Sequence, residues 1–324
     1  MDKALIAHAP GGPEAMIWSD VETPAPGPGE VLLRHLAIGV NFLDIYYRSG
    51  LYPWPGATII PGAEAAGVVE AVGEGVTGFA PGDLAVYVMR NGAYRTRRVV
   101  PAERLIALPA GIDPVAMAGA LLKGLTAQYL LTSSYAVQPG DTVLVHAAAG
   151  GMGLLLGQWI AALGGRAIGT AGSAAKADLA RAHGYAHVID YSREDFVAEV
   201  AALTGGEGCA AVYDSVGQDT WRGSLKCLRK RGMFVNFGQS SGMIRDFSLQ
   251  DLAVGGSLSA NRPVLFDYIE SRDDLLSRSS DLFARILSGS LRLDVVRQRP
   301  LQEAGRVHAE IEARQTVGST VLLP

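Results

Sequence analysis

Short runs that alternate apolar and polar residues, or are rich in β-branched ones, fill the first third of the chain, at 3–8, 31–38, 64–72, 83–88 and 93–100. Gly- and Pro-rich turns at 10–13, 24–29, 73–75 and 81–82 punctuate them. Many short strands between such turns predict a barrel or sandwich. One helical candidate at 40–48 interrupts the series, followed by a rigid aromatic and proline loop at 51–56. From 116 the period changes. Helical spacing over 116–129, continued over 132–137, leads into strands at 142–145, 167–170, 188–191, 209–214, 233–237 and 256–260, with helices between them near 194–203 and up to 229. Six strands joined by crossover helices make a complete doubly wound parallel sheet. A helix at 271–288, a strand at 294–300, a helix at 301–314 and a strand at 321–323 cannot extend that sheet and are expected to return to the first domain. The chain therefore reads as α/β, with residues 1–122 plus 263–324 forming a β-rich domain and 123–262 inserted in it.

The stretch at 141–176, DTVLVHAAAGGMGLLLGQWIAALGGRAIGTAGSAAK, contains a strand, a tight turn, an apolar helix and a second strand. Gly150 and Gly153 occupy the second and third places of a G-x-G-x-x-G fingerprint, and Ala148 holds the first. Such a turn sets backbone N–H groups and the positive end of a helix dipole against a pyrophosphate. Gly150, Gly151, Met152 and Gly153 are the candidates for that role. A lone glycine-rich turn could belong to another α/β protein, but the complete βαβ unit favours a dinucleotide site. The second strand ends in Thr170, Ala171, Gly172 and Ser173, with no carboxylate until Asp178 and with Lys176 close by. An NAD site usually offers an acid there to the ribose 2′-OH. A neutral floor beside a cation suits a 2′-phosphate instead, and so NADPH. The plainer alternative leaves Lys176 as a solvated residue on the first turn of the next helix.

Composition changes this picture little. Hydrophobic residues are 48% and charged residues 19% of the chain, a globular balance. A formal net charge of −4 and the lack of a long basic run weigh against nucleic acid as the main partner. The basic clusters at 95–98 and 229–231 read as solvated surface. No signal peptide precedes the first strand, and no apolar run reaches bilayer length. The two cysteines, Cys209 and Cys227, fall in different predicted elements and read as reduced core thiols without metal-ligand spacing. A cytoplasmic protein is expected.

Several stretches resemble one family: AIGVNFLDIYYRSGLYP (37–53), PGAEAAGVVEAVG (61–73), LLKGLTAQYLL (121–131), HAAAGGMG (146–153), VYDSVG (212–217) and NFGQSSG (236–242). Together they resemble the bacterial quinone oxidoreductases related to zeta-crystallin, within the medium-chain dehydrogenase/reductase superfamily. The resemblance implies a GroES-like catalytic domain with an inserted Rossmann domain, NADPH as cofactor and a small quinone as substrate. It also implies a homodimer joined sheet to sheet, here through the edge strand near 256–260. Where the zinc-dependent branch has metal ligands, this chain reads Gly39-Val40-Asn41 and Gly62-Ala63-Glu64. Residues 86–93 are too few for the four-cysteine zinc lobe, so a metal-free enzyme is expected.

The same resemblance places Asn41, Phe42, Asp44, Tyr46 and Tyr52 around the nicotinamide and substrate. Asn41 would orient the carboxamide or ribose, and the two tyrosines would form an aromatic wall; Tyr52 reads equally well as a packing residue. Lys123 either reaches cofactor or substrate or makes an interface ion pair. Thr126 lies on the same stretch, and Tyr129 is either a cofactor contact or a packed aromatic. Gly151 and Met152 are carried over to the pyrophosphate, Gly172, Ser173, Lys176 and Arg314 to the 2′-phosphate, and Tyr191 to the adenosine. Ser215 and Gly217, and Phe237, Gly238, Ser240, Ser241 and Gly242, end the fourth and fifth strands, where ligands of open α/β sheets gather. A zinc-free reductase of α,β-unsaturated aldehydes or ketones is the alternative with the same fold. An NADPH-binding structural or RNA-binding module is the alternative of another class.

Overall fold

In the computed structural model, which describes residues Met1–Pro324, the early runs form β1 (Asp2–Ala7), β2 (Met16–Val21), β3 (Glu30–Gly39), β4 (Glu64–Val72), β5 (Leu84–Val88), β6 (Arg97–Pro101) and β7 (Leu105–Ala107). Helix α1 (Phe42–Arg48) follows β3, and α2 (Pro114–Ala118) and α3 (Leu121–Tyr129) follow β7. Strand and helix then alternate through β8 (Thr142–Val145), α4 (Gly151–Ala162), β9 (Arg166–Ala171), α5 (Ala174–Arg181), β10 (Tyr185–Asp190), α6 (Phe196–Leu203), β11 (Cys209–Asp214), α7 (Trp221–Lys226) and β12 (Leu228–Asn236). The chain continues with α8 (Leu249–Val254), β13 (Ser259–Asn261), α9 (Leu265–Tyr268), α10 (Arg272–Leu287), β14 (Val296–Pro300), α11 (Ala304–Glu312) and β15 (Ser319–Leu323). Two units result, Met1–Leu122 with Leu293–Pro324, and Lys123–Arg292.

The first unit is organised on β3, which pairs antiparallel with β4, β6 and β15. Residues along β3 alternate in burial, as a strand with one face on a core must. That core gathers Val31, Leu33, Val69, Tyr87, Val100 and Leu105 with Leu301, Val307 and Leu322 from the far end of the chain. The last segment returns here because its apolar residues are needed to close this core.

The second unit holds a parallel sheet of order β10-β9-β8-β11-β12-β13. The strand order reverses between β8 and β11, the topological switch point where such sheets open a ligand crevice at the carboxyl ends of the strands. The expected domain boundary at 262 needs correction, because the second unit runs on to Arg292. Helix α10 does not return to the first unit. Its Leu282 packs where Gly124 of α3 lacks a side chain, and the Arg285 guanidinium lies 4.7 Å from the Trp159 ring centroid.

Residues 132–137 also differ from expectation. The chain closes one wide helical turn at Leu130–Ser134 and then extends, after Thr132 Oγ1 donates to the Gln128 carbonyl at 2.7 Å. Such back-bonding by Thr competes with helix continuation. Arg229 lies in β12, not in the preceding helix, and the sixth strand is shortened to Ser259–Asn261. Strands β2 and β7 and helix α8 were not anticipated from the pattern.

Candidate functional site

In the first unit the site grows from the turn between β3 and α1. Gly39 has to be glycine, since a Cβ there would overlap the Ala118 carbonyl of α2 and the Glu64 carboxylate of β4. This close approach brings Glu64, fully buried, onto Asn41. Asn41 Nδ2 donates to Glu64 Oε1 at 2.8 Å, and the Leu122 backbone N–H donates to Glu64 Oε2 at 2.6 Å. Asn41 is the N-cap of α1, and its backbone N–H donates to Asp44 Oδ2 at 2.8 Å. Asparagine and aspartate at these positions suit a helix start, where N–H groups lack helical partners. Asn41 is thus held by two buried carboxylates.

Along α1, Phe42, Tyr46 and Tyr52 line up as partly exposed aromatics. The Phe42–Tyr46 and Tyr46–Tyr52 ring centroids are 6.0 and 5.3 Å apart, and Tyr47 meets Tyr52 edge-on at 5.6 Å. The loop after α1 is pinned by Tyr52 N–H donating to the Tyr46 carbonyl at 3.0 Å and by Trp54 Nε1 donating to the Tyr47 carbonyl at 2.6 Å. The sequence-expected residues Asn41, Phe42, Tyr46 and Tyr52 come together, whereas Asp44, expected beside the nicotinamide, is fully buried beneath Asn41 because its carboxylate accepts the Asn41 N–H at the helix start.

Sequence reasoning missed the layer beneath them. Tyr94 Oη lies 3.1 Å from Asp44 Oδ2 and 2.8 Å from His308 Nε2, and His308 Nδ1 lies 3.4 Å from Arg48 Nη1. Arg48, nearly inaccessible, also grips the half-exposed Glu312 through two hydrogen bonds of 2.8 and 3.1 Å. Gly62, at φ 96°, leaves the space that the Tyr94 ring fills. That glycine in the stretch at 61–73 was the one signal available.

In the second unit the turn before α4 has the expected geometry. Gly153 is obligatory, because a Cβ there would run into the Ala147 and Ala148 carbonyls. Ala148, in the first fingerprint place, fits because Gly169 on neighbouring β9 has no side chain to meet it. Ala147 sits at φ 56°, a left-handed conformation uncommon for alanine. Gly150 is the N-cap of α4, so the N–H groups of Gly151, Met152 and Gly153 begin the helix. Gly150 N–H donates to the Ala147 carbonyl and Leu154 N–H to the Gly150 carbonyl, so these three N–H groups and the helix dipole are what the turn offers to an anion such as a pyrophosphate.

At the end of β9, Ser173 caps α5, with the Lys176 backbone N–H donating to Ser173 Oγ at 3.4 Å. Gly172 lies against the Tyr191 hydroxyl, and the Tyr191 ring is half exposed. The strand ends Ser215–Gly217 and 237–242 are laced together. Ser240 and Ser241 N–H groups donate to the Ser215 and Val216 carbonyls at 3.2 and 2.9 Å, and Ser241 Oγ donates to Val216 at 2.8 Å. Gly217 and Gly242 take positive φ, and Gly238 lies against the Ser215 backbone. Phe237 is tied by its N–H to the Asp214 carbonyl at 2.9 Å.

Lys123 and Thr126 are buried on α3. Tyr129 is buried, its ring stacked on Tyr268 at 4.2 Å and 6°, which places it as a packed aromatic. Arg314 lies just past the end of α11, exposed and at φ 58°.

A second buried network underlies this turn and was also missed. Asp214 accepts from Val216 and Gly217 N–H at 2.8 and 2.9 Å, Thr220 Oγ1 at 2.7 Å and Ser224 Oγ at 2.8 Å. Since Ser224 donates to Asp214, His146 Nε2–H donates to Ser224 Oγ (3.0 Å), and His146 Nδ1 accepts from Thr170 Oγ1 (3.0 Å). Burial lowers the His146 pKa, opposed by Asp214. The ends of β8, β9 and β11 are so tied to one another. The residues present fit a dinucleotide with an extra phosphate: a glycine-lined helix start for the pyrophosphate, and a hydroxyl, a helix start and a lysine where an acid would repel the 2′-phosphate.

Comparison with known proteins agrees with this geometry. Residues 27–139 match the alcohol dehydrogenase GroES-like domain and residues 151–270 the zinc-binding dehydrogenase family. The chain is 47% identical to a quinone oxidoreductase of Pseudomonas aeruginosa over 100% of both proteins. It is 46% identical to a 2-haloacrylate reductase of a Burkholderia species, over 100% of this chain and 99% of the other. The crystal structure of Escherichia coli quinone oxidoreductase complexed with NADPH superposes with a TM-score of 0.97 at 43% identity, covering 99% of this chain and 100% of that one. The zinc in the name of the second family model has no matching donor set here. Asn41 and Ala63 offer no useful ligand, both Glu64 oxygens are engaged, and no three His, Cys, Asp or Glu side chains converge as a metal site. From the glycine turn, the GroES-like β unit and these full-length likenesses together, the chain belongs to the medium-chain dehydrogenase/reductase family, among its quinone oxidoreductases.

Proposed function

We propose that this protein is an NADPH-dependent reductase of small quinones. Full-length identity of 47% to a quinone oxidoreductase carries the reading. The acid-free end of β9 with Ser173 and Lys176 supports NADPH over NADH. Bound NADPH supplies a hydride from its nicotinamide C4, and NADPH, a proton and a quinone give NADP⁺ and the hydroquinone. The protein's part is to place the reactants and exclude water. Asn41, clamped by Glu64 and Asp44, orients the nicotinamide or its ribose. Phe42, Tyr46 and Tyr52 offer a flat aromatic wall to a flat acceptor, with hydroxyls at its edge. A quinone is electron-poor enough to need no Lewis acid, and its reduced oxygens take protons from solvent.

A second reading keeps the cofactor and changes the acceptor to an activated alkene, favoured by the 46% identity to a 2-haloacrylate reductase. Following NADPH oxidation at roughly 340 nm with 1,4-benzoquinone, a simple enone and 2-chloroacrylate separates the two. Turnover of the quinone well above the other acceptors is the expected result; turnover of an alkene alone would transfer the assignment. We further propose a homodimer formed through the β13 edge and a cytoplasmic location. No helix is long and apolar enough to cross a membrane.

A further inference from the structure

Beneath Asn41 the buried hydrogen bonds can run in only one direction. Arginine only donates and an ionised carboxylate only accepts. Arg48 Nη1–H therefore donates to His308 Nδ1 at 3.4 Å, which leaves the His308 proton on Nε2. His308 Nε2–H then donates to Tyr94 Oη at 2.8 Å, and the Tyr94 O–H donates to Asp44 Oδ2 at 3.1 Å. Asp44 Oδ2 also receives the Asn41 backbone N–H at 2.8 Å. Asp44, Tyr94 and His308 have no solvent exposure, and Arg48 has 2%. The outer end of the chain of bonds is fixed by Glu312 from α11, which clamps Arg48 bidentately.

We propose that Tyr94 and His308 are positioning residues of the reductase: through Asp44 they fix the first turn of α1, and with it the angle at which Asn41 presents its amide. The inference rests on the proposed role of Asn41 toward the nicotinamide. Neither Tyr94 nor His308 lies among the groups assigned to substrate or cofactor, and each acts only through Asp44. Two features keep the donor order intact. Burial and the facing Arg48 charge lower the His308 pKa to about 3, so the ring stays neutral and Nδ1 remains an acceptor. Burial, then Asp44, push the Tyr94 phenol well above its ordinary pKa, so it keeps the proton it donates. A purely apolar filling of the same space would leave the Asp44 carboxylate with one donor fewer in a dry environment, where carboxylates demand partners. The helix start would then be free to shift, and small displacements near reacting atoms cost rate steeply.

The test compares Tyr94→Phe, His308→Leu, His308→Gln and Asn41→Ala in the full-length protein, by steady-state kinetics with NADPH and 1,4-benzoquinone. NADPH affinity and thermal melting report that each variant is folded. A glutamine amide can donate to Tyr94 and accept from Arg48 as His308 does. Tyr94→Phe and His308→Leu are expected to lower kcat by about tenfold, the equivalent of ~1.4 kcal/mol, with the KM for NADPH little changed. His308→Gln is expected to recover most of that loss. A kcat unchanged in Tyr94→Phe while Asn41→Ala is impaired overturns the proposal and leaves the role of Asn41 standing. His308→Gln as impaired as His308→Leu overturns it as well. Should Tyr94→Phe fail to fold, the two His308 variants decide alone. An unaffected Asn41→Ala removes the reading beneath the proposal, whatever the other variants do.

Discussion

Lys176 sits on the first turn of α5, partly buried, with its backbone N–H tied to Ser173 Oγ. A phosphate at that helix start would meet a hydroxyl, free N–H groups and an ammonium, whereas a bare ribose 2′-OH would gain little from the cation. A charge-assisted contact contributes ~1.5–3 kcal/mol, so Lys176→Ala should lower kcat/KM with NADPH by about tenfold or more and leave the value with NADH nearly unchanged. Equal losses with both coenzymes would show that Lys176 does not read the phosphate. Arg314→Ala, measured the same way, tests the cation carried over from the last helix. Glu64 invites an equally sharp substitution. Both its oxygens accept, from Asn41 Nδ2 and from Leu122 N–H. In Glu64→Gln the new amide N–H₂ must face one of those donors, and a buried unsatisfied group costs ~1–3 kcal/mol. The variant is expected to melt earlier and to lose kcat; a melting curve and rates equal to the parent's would mean that Glu64 does not orient Asn41.

Helix α4 shows how far an element's role can be read from its glycines. Gly153→Ala would push a methyl into the Ala147 and Ala148 carbonyls and force the turn away from the helix axis. NADPH affinity should fall by at least tenfold, about 1.4 kcal/mol, in a titration of cofactor fluorescence; unchanged affinity would argue that the pyrophosphate binds elsewhere. The turn itself was legible in the sequence, since the strand, the turn and the helix each carry their own local signal and the complete βαβ unit accounts for the glycines. The strands β4, β8 and β11 were equally legible, being apolar runs bounded by turn residues. What stayed hidden depends on contacts far apart in the chain. His146 meets Ser224 across 78 residues, and Tyr94 meets His308 across 214. Nothing local marks a histidine or tyrosine as a partner at that range. The assignment of α10 failed for the same reason: its amphipathic spacing predicted a helix, while the gap at Gly124 that receives Leu282 decides which unit it joins. Ser259–Asn261 was only roughly placed because a three-residue strand carries almost no pattern.

For the molecule as a whole, buried histidines set the acid limit of stability. His35 and His308 are held neutral, each pKa lowered from 6.5 to about 3, in both cases chiefly by burial. Above pH 6.5 both are neutral folded and unfolded, and they contribute no pH dependence. Between 6.5 and about 3 the unfolded chain binds protons that the folded one refuses, so stability falls as pH falls, by up to ~1.4 kcal/mol per pH unit for each group. Melting temperature should therefore be flat near neutrality and drop below pH 6.5, with a shallower drop in His308→Gln; an identical slope in that variant would locate the acid sensitivity elsewhere. Assembly is decided at the other surface of the problem, where the parallel sheet ends. β10 and β13 are its two edges. Most of β10 is buried or partly covered, whereas Ser259 and Ala260 of β13 are exposed. The preceding helix α8 leaves Leu249 at 80% and Val254 at 78% exposure, an arrangement that costs free energy in water and that a second copy would relieve. An open strand edge beside bare apolar side chains favours pairing with another chain, and a two-fold contact between the two β13 edges uses up both of them and closes the assembly at two copies, leaving only the better covered β10 edges outside. Light scattering at micromolar concentration should give twice the chain mass. The double variant Leu249→Glu, Val254→Glu changes only exposed positions, so it should stay folded and shift that mass toward one chain. A parent protein that scatters as a single chain would dispose of the dimer, and a double variant that remains dimeric would move the contact away from α8.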